Sequence, residues 1–364
     1  MQQSEVLQGP HRVGFVLCSP AGRPIPSTRI AVLNMLPALK RAGFESSIVF
    51  EPPTPTETPQ LQGSAERVLG AGCDVVVFQK VRGADAVSLA RRLAQAGVPT
   101  VYAVCDLIDV AMVEATTATV TVTEHLRSRF PVELQSRIHV VHDGIERPEA
   151  AKADWGIGRG SRSARLSAVL VTSAELDHLP VIGSPPRWLK VRIVGRYASG
   201  RRRWSETRWK LAGQSTRERL EHLRFLLDFG IVCVPWEAES VYREMHDADI
   251  GIIPIDTHAA RSGGAVPPAW QLKSENRLTM KMSMGLPVIA TPIPSYEAVI
   301  DQGVNGFFAS SSRDWSACLN ALRDPARRRE MGAAARLSVA RRYSMDEQAA
   351  KLVRVLTGLI TSTG

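Results

Sequence analysis

The sequence predicts an α/β protein built from two doubly wound domains with parallel sheets. Short apolar runs alternate with helical segments, the alternation occurs twice, and a polar stretch separates the two series. Continuous apolarity within each run is typical of strands buried on both faces of a parallel sheet. Ligands of such folds bind beyond the carboxyl ends of the strands. We therefore expect two domains facing a ligand-binding cleft.

The first series contains six predicted strands, each short and rich in Val, Ile or Phe. They cover residues 13–18, 47–50, 74–79, 100–104, 118–122 and 138–141. Helices are expected over residues 27–42 and 84–96. Ser27 is the predicted N-cap of the first helix, Gly43 ends it, and Pro37 should break it.

The composition changes between residues 147 and 167, where the chain becomes polar and rich in Gly and Arg, as is typical of a linker. A second series of apolar runs then follows at residues 168–172, 191–194, 231–234, 249–254, 287–291 and 306–309. The last apolar pattern has helical spacing. We predict an N-terminal domain at residues 1–148, a linker at 149–167, a C-terminal domain at 168–344 and a closing helix at 345–364.

The composition is that of a globular protein, with 44% apolar and 22% charged residues over 364 positions. No apolar run approaches the roughly 20 residues that span a bilayer, and the polar N-terminus lacks a signal core. The five cysteines are scattered singly, which favours a reducing compartment and offers no metal-binding motif. We expect a cytoplasmic protein without a bound metal.

The net charge of +9 is open to three interpretations. Nucleic-acid binding is disfavoured, because no basic stripe with interleaved aromatic residues and no DNA-binding motif is present. Attraction to an anionic membrane would place the protein at the inner face, beside a lipid-linked acceptor. A pocket for a diphosphate would use only a few of the charges. The charge alone does not decide between the last two.

Two common nucleotide-binding motifs are missing. The turn after the first predicted strand, residues 19–23, contains Gly22 as its only glycine, whereas a dinucleotide-binding loop needs several. No GxxxxGK[ST] motif occurs either. A dehydrogenase and a P-loop NTPase are therefore disfavoured.

The C-terminal half carries a more specific pattern. Residues 236–254 (WE, VY and ADIGIIP in that order), 276–291 (NRLTMKMSMGLPVIAT) and 296–308 (YEAVI followed by NGFF) resemble successive segments of the retaining group-1 family of GT-B glycosyltransferases. Residues 138–145 (IHVVHDGI) are similar to the end of that family's N-terminal domain. The resemblance is strongest from Tyr242 to Phe308.

This resemblance implies two Rossmann-like domains and a metal-independent, hexosyltransferase-like enzyme. It would move a sugar from a nucleotide-diphosphate sugar to a saccharide or lipid-linked acceptor with retained configuration, in glycan or polysaccharide biosynthesis. No cofactor beyond the donor substrate is expected. Two alternatives stay open: a non-catalytic nucleotide-binding scaffold that partners a transferase, and a nucleotide-sugar epimerase of the same fold.

The start of the predicted helix at residues 276–284 is the main candidate for donor binding. Ser274 is the predicted N-cap, which would leave N–H groups and the positive helix end available to a diphosphate. Lys273 and Arg277 flank this helix start. The candidate donor-binding residues are Gly195, Arg196, Lys273, Ser274, Glu275, Asn276 and Arg277.

Three side chains are candidates for catalysis: Asp106, Arg196 and Lys273. Arg196 follows Gly195 at the end of a predicted strand and, with Lys273, would neutralise the charge on the departing nucleotide. Cys105 and Asp106 stand after the predicted strand at residues 100–104, where the family has a histidine. The Asp106 carboxylate could accept a hydrogen bond from a sugar hydroxyl. A strand-end turn explains Asp106 equally well.

Three further residues are expected on the acceptor side or in the cleft: Gly22, Arg29 and His142. The loop from Gly22 to Arg29 follows the first strand, and Arg29 could contact an anionic acceptor or the diphosphate. His142 precedes the turn dipeptide Asp143-Gly144, so a hinge is favoured over an acid/base role.

The sequence departs from the family at the paired glutamates that hold the ribose. Counting back from Gly285, the second glutamate is replaced by Met280 and the first falls near Leu272. Glu275 lies between them and is a partial substitute. The residue that holds the ribose is therefore left open.

Overall fold

The computed structural model describes residues 10–152, 165–174, 176, 179–183, 185–196, 215–257 and 267–362. The chain forms two compact units. The first unit comprises Met1–Glu146, Leu272–Ser274 and Tyr343–Gly364, and the second comprises Arg147–Gln271 and Glu275–Arg342. Each unit holds a six-stranded parallel sheet, so the predicted pair of α/β domains is confirmed. Most of the predicted linker, residues 153–164, lies outside the described residues.

All twelve predicted strands are present in the described part of the chain. In the first unit the order across the sheet is β2-β1-β3-β4-β5-β6, and in the second it is β12-β11-β10-β7-β8-β9. The strands are β1 His11–Leu17, β2 Phe44–Phe50, β3 Val75–Gln79, β4 Thr100–Val104, β5 Ala118–Thr121, β6 Ile138–Val140, β7 Leu166–Thr172, β8 Leu189–Gly195, β9 Ile231–Val234, β10 Ile250–Ile253, β11 Val288–Ala290 and β12 Phe307–Phe308.

Helices connect the strands in both units. They are α1 Pro26–Thr28, α2 Leu36–Arg41, α3 Ala65–Leu69, α4 Ala84–Gln95, α5 Val110–Ala115, α6 Glu124–Ser128, α7 Pro180–Gly183, α8 Thr216–Leu227, α9 Ser240–His246, α10 Asn276–Ser283, α11 Pro294–Glu297, α12 Ser312–Ala321, α13 Pro325–Ala340 and α14 Met345–Thr361. Short 3₁₀ turns lie at Gln62–Ser64, Val132–Arg137 and Pro148–Ala150.

The first predicted helix is interrupted, as Pro37 indicates. A π-helical turn at Arg29–Leu33 follows α1, and α2 begins at Leu36. Ser27 as N-cap is wrong, because α1 begins at Pro26 and Ile25 occupies the N-cap position. Gly43 has a φ of 86°, which only glycine adopts easily, and it ends α2 as predicted.

The first sheet is buried on both faces. One apolar cluster joins Phe78 to α4, and the other joins Phe15 and Val77 to Leu352 and Leu356 of α14. The last helix therefore packs on the first sheet, because its apolar residues recur at helical spacing and cover that face. No described helix is both long enough and apolar enough to cross a membrane.

In the second unit, α10 packs with its apolar side inwards. Leu278 and Met282 are fully buried, so both side chains fill the core of the second unit. At the start of the neighbouring strand, the Asp249 carboxylate accepts a hydrogen bond from Ser167 N at 2.8 Å. This hydrogen bond links the start of β10 to the start of β7.

Candidate functional site

The carboxyl ends of β7 and β8 approach each other closely in the second unit. Thr172 pairs with Gly195, whose φ is 118°. A Cβ atom at Gly195 would lie 2.5 Å from the Thr172 carbonyl oxygen, so no larger residue fits there. Arg196 follows directly and is exposed. The carboxyl end of β8 thus combines a close backbone approach at Gly195 with the exposed side chain of Arg196.

The first turn of α10 lacks a side-chain cap. Glu275 occupies the N-cap position with helical backbone angles and makes no capping hydrogen bond. The prediction that Ser274 caps this helix is therefore wrong, because the helix begins one residue later than a Ser274 cap requires. Arg277, in the first turn, donates from Nη2 to Ser173 Oγ at 3.3 Å. This contact places the guanidinium at the carboxyl end of β7.

A buried lysine lies below this first turn. Lys281 is fully buried, and its Nζ donates to the Arg277 carbonyl oxygen at 3.2 Å. Burial and the neighbouring Arg277 guanidinium lower the pKa of Lys281 to about 7. A Cβ atom at Gly251 of β10 would lie 2.9 Å from Lys281 Cδ, so a glycine there makes room for the amine.

Sequence reasoning missed Lys281, although two signals were present. It falls between Leu278 and Met282 in the predicted helix, and a glycine interrupts the facing apolar strand.

The pKa of the buried Tyr296 is raised, mainly by burial. The Arg277 guanidinium opposes this increase and the Glu275 carboxylate adds to it. Both charged side chains are therefore near this ring. Glu275 is buried, whereas Met280, at the place of the family's acid, is only partly buried.

The predicted donor-binding residues divide between the two compact units. Lys273 and Ser274 belong to the first unit, where the preceding Leu272 joins an apolar core cluster. Gly195, Arg196, Glu275, Asn276 and Arg277 belong to the second. Within the second unit, therefore, the candidate site consists of the ends of β7 and β8 and the start of α10.

In the first unit, Asp106 lies in a cluster of charged side chains at the ends of β3 and β4. The Lys80 ammonium contacts the Asp106 carboxylate at 2.7 Å and the Glu57 carboxylate at 3.0 Å. Lys80 has a φ of 56° and is the only described residue other than glycine in the left-handed region. Its N–H donates to the Ala103 carbonyl oxygen at 2.9 Å. This unusual backbone turns the chain immediately after β3.

The charged cluster continues through Arg82. Its Nε lies 3.1 Å from Glu57, and its Nη1 lies 3.8 Å from Asp109. Burial alone would lower the pKa of Lys80, but Cys105 and the carboxylates of Asp106 and Glu57 raise it overall. Lys80 is thus a permanently charged group held between carboxylates.

His142 is held by backbone and aromatic contacts. Its Nδ1 donates to the Val122 carbonyl oxygen at 2.8 Å, and its ring packs on Tyr343 with centroids 4.8 Å apart. The backbone N–H of His142 donates to the Gln348 side chain of α14 at 2.9 Å. A Cβ atom at Gly144 would lie 2.9 Å from Met345, so this segment is packed tightly against the start of α14.

The remaining acceptor-side residues have different surroundings. Arg29 forms a two-pronged ion pair with Glu146, with Nε–Oε1 at 2.7 Å and Nη2–Oε2 at 3.0 Å. Asn34 donates to the same carboxylate at 2.8 Å. Gly22 faces open space, with no atom within 4 Å of an added Cβ. Among the described residues, no group of three His, Cys, Asp or Glu side chains could hold a metal ion.

Comparisons with known proteins agree with this architecture. Residues 186–354 match the model of a family described as glycosyl transferase-like. No curated protein matches the sequence. The structure resembles Anabaena HepE in complex with UDP (12% identity, 96% of this chain and 100% of that one, TM-score 0.69). It also resembles the sucrose-phosphate synthase of Thermosynechococcus elongatus (11% identity, 97% and 100%, TM-score 0.69). The fold is that of GT-B glycosyltransferases.

Proposed function

We propose that the protein is a glycosyltransferase that takes its sugar from a nucleotide-diphosphate sugar bound by the second unit. The observation that carries this proposal is the uncapped first turn of α10, with Arg277 beside it, inside the segment that matches the glycosyl transferase-like family. N–H groups at a helix start and a guanidinium suit a diphosphate. The complex of the structurally similar HepE with UDP supports this choice of ligand.

The proposed reaction needs only binding and electrostatic stabilisation from the protein. A bond forms between an acceptor hydroxyl oxygen and the anomeric carbon of the donor, while the bond from that carbon to the diphosphate oxygen breaks. The hydroxyl proton leaves with the nucleoside diphosphate or passes to solvent. Arg196, Lys273, Arg277 and the first-turn N–H groups would stabilise the charge on the leaving group. Asp106 would accept a hydrogen bond from a sugar hydroxyl.

Several finer features belong to the same proposal. The reaction would proceed with retention, without a metal ion or a cofactor, and with a hexose as the transferred sugar. Its product would enter glycan, polysaccharide or glycoconjugate biosynthesis. We place it in the cytoplasm, with a peripheral contact at the inner membrane face if the acceptor is lipid-linked. The basic net charge of +9 supports that contact.

The test is nucleotide binding and release with UDP-, GDP- and dTDP-sugars. Arg277→Ala should weaken nucleotide affinity by about tenfold or more, since a hydrogen bond to a charged group contributes about 1.5–3 kcal/mol. Arg329→Ala is the matched control, because Arg329 is an exposed arginine of α13 in the same unit. Equal affinities of the two variants, measured by calorimetry, would refute the donor site.

Met280 favours one alternative, a nucleotide-binding scaffold without turnover. A thioether cannot accept the strong ribose hydrogen bonds that a carboxylate accepts. In that case nucleotides would bind, but no nucleoside diphosphate would be released from any donor with any acceptor. An epimerase would instead release an isomerised sugar nucleotide. Chromatography of the reaction products separates the three outcomes.

A further inference from the structure

We infer that a small cavity at the carboxyl edge of the first sheet binds the acetamido group of an acceptor sugar, with the Gln79 side chain as hydrogen-bond donor. This inference deepens the proposed transferase function and rests on it. It uses only side chains of the first unit, and it names the chemical class of the acceptor.

The cavity lies where β3, β4 and β6 end. Gln79 is the last residue of β3, Val104 is the last residue of β4, and Val141 follows β6; all three line the cavity. Ser27 and Cys105 also line it and are partly exposed, in keeping with access from the surface. Ligands of parallel α/β sheets bind beyond this edge. The position of the cavity is therefore that of a ligand-binding site.

A chain of hydrogen bonds orients the side chain of Gln79. The backbone N–H of Ile25 donates to Ser19 Oγ at 3.2 Å. The Ser19 hydroxyl donates to Thr28 Oγ1 at 2.8 Å, and the Thr28 hydroxyl donates to Gln79 Oε1 at 2.8 Å. The Cys18 thiol donates to the same oxygen at 3.2 Å. This orientation of the amide gives both donors an acceptor, so its oxygen belongs to the chain and its nitrogen does not.

The amide nitrogen of Gln79 is the polar atom that this chain leaves over. Nε2 donates no hydrogen bond to any atom in the part of the protein that the structure describes. Gln79 is nevertheless 1% exposed, and it lines the cavity. A buried N–H without an acceptor disfavours folding, so such groups are rare in native proteins. An oxygen atom of a ligand in the cavity supplies the acceptor that the protein does not.

The size and the lining of the cavity select the group that carries this oxygen. The volume is about 40 Å³, and one water needs roughly 10–15 Å³ measured in this way, so roughly three or four non-hydrogen atoms fit. The wall is mostly apolar and includes Phe15, Met35 and Leu352. A hydroxyl group fills only part of this space. An acetamido group fills it: its carbonyl oxygen accepts from Gln79, its methyl group packs on the apolar wall, and it has no charge to desolvate.

N-acetylglucosamine and glucose form a matched pair of probes, because they differ only in the acetamido or hydroxyl group at C2. Met35 is buried in the cavity wall, so its ¹³C-methyl NMR signal, assigned with Met35→Leu, reports occupancy. N-acetylglucosamine should shift this signal at a concentration about tenfold lower than glucose. An equal or stronger response to glucose would overturn the inference. So would the absence of any shift with N-acetylglucosamine up to about 50 mM.

Sugar nucleotides test whether the acetamido group belongs to the acceptor or to the donor. With UDP-glucose at saturation, free N-acetylglucosamine should still shift the Met35 signal, because the acceptor and the donor occupy different sites. If UDP-N-acetylglucosamine shifts Met35 at a lower concentration than the free sugar, and saturating UDP-glucose abolishes the response to the free sugar, the cavity serves the donor. That outcome would overturn the assignment to the acceptor.

Two variants test the hydrogen-bond donor and the space separately. Gln79→Met keeps a similar volume without N–H groups and should weaken N-acetylglucosamine binding about tenfold. Gln95→Met, at an exposed position of α4, is the matched control and should bind as the wild type does. Ala103→Leu fills the cavity and should abolish the response. Unchanged binding in folded Gln79→Met, or a retained response in folded Ala103→Leu, would contradict the inference. If neither variant folds, the two probes on the wild type decide.

Nucleotide binding distinguishes failure of this inference from failure of the proposed function. If donor nucleotides bind and are released but N-acetylglucosamine leaves the Met35 signal unchanged, the acceptor class is wrong and the transferase proposal stands. If N-acetylglucosamine shifts Met35 but no nucleotide binds the second unit, the cavity is an acetamido site and the transferase proposal fails.

Discussion

Lys80 in the first unit and Lys281 in the second are both buried beside a parallel sheet, yet their pKa values move in opposite directions. Lys80 lies between Glu57 and Asp106, which raise its pKa against the effect of burial. Lys281 donates a hydrogen bond to the Arg277 carbonyl oxygen, and burial and the Arg277 guanidinium lower the pKa of Lys281 to about 7. Burial disfavours the charged form of both lysines, and the neighbouring charges decide whether the pKa rises or falls.

This difference reflects the charges that surround each lysine. At the edge of the first sheet Lys80 and Arg82 are paired with the carboxylates of Glu57, Asp106 and Asp109. In the second unit the charge that acts on Lys281 is the Arg277 guanidinium, in the first turn of α10, which has no side-chain cap. The positive charge at the start of α10 agrees with the anionic donor that we propose for the second unit. The following variants test this contrast, from the largest expected effect to the smallest.

The strongest effect should come from the strand end beside Arg196. Gly195→Ala should destabilise the protein by about 3 kcal/mol, because the new Cβ meets the Thr172 carbonyl oxygen at 2.5 Å and φ is 118°. Gly22→Ala, at the corresponding end of β1, faces open space and should change stability by less than about 0.5 kcal/mol. Urea unfolding measures both. Similar losses at the two positions would contradict the tight approach at β8.

Removing the first lysine should also destabilise the protein. Lys80→Met leaves Glu57 and Asp106 without their shared cation, and the loss should be about 2 kcal/mol after allowing for their 33% and 46% exposure. Lys40→Met, at an exposed position of α2, is the control. The difference in urea midpoint between the two variants gives the effect. A stabilised Lys80→Met would show that the ion pairs do not compensate for the burial of the amine.

Removing the second lysine should have the opposite sign. Lys281→Met keeps a similar volume without a buried amine and should stabilise the protein by about 1 kcal/mol at pH 7. The folded-state pKa of about 7 lies below the unfolded value of about 10.4. The unfolded chain therefore binds the extra proton between these pH values, and the wild type loses stability relative to the variant as pH falls from 10 towards 7.

Urea unfolding of Lys281→Met at pH 7 and pH 9.5 checks this dependence. The advantage of the variant should be larger at pH 7 and should shrink at pH 9.5. Lys190, which is partly buried near the start of β8, provides the control. The stability of Lys190→Met relative to the wild type should not change comparably between the two pH values. A constant advantage at both pH values would mean that Lys281 titrates with an ordinary pKa.

The smallest effect should come from the outer part of the carboxylate cluster. Arg82 is 38% exposed, so Arg82→Gln should cost about 0.5 kcal/mol despite its contacts with Glu57 and Asp109. Arg91→Gln, an exposed arginine of α4, provides the baseline. Added salt should reduce the difference between these variants. A loss of stability as large as that of Lys80→Met would mean that Arg82 stabilises the carboxylate cluster as much as Lys80 does.

The strands and the two-sheet organisation could be predicted from the sequence because they depend on local sequence patterns. Each strand is a continuous apolar run, and a run of this kind is stable only when buried on both faces. Pro37 predicted the break between α1 and α2 for an equally local reason, its missing N–H. The start of α10, where we propose that the donor binds, was also predicted from the sequence, since helix periodicity places a helix beginning within a residue or two.

Contacts between distant residues decided the rest. Ser274 has the side chain of a cap, but the chain reaches α10 with Glu275 already helical, so tertiary packing overrode the local preference. The carboxylates around Lys80 come from a loop after β2 and from the end of β4, and only the folded sheet brings them together. Likewise, Lys281 is buried because Gly251 of β10 leaves space for it. Charge and burial are properties of neighbours, and neighbours are set by the tertiary structure.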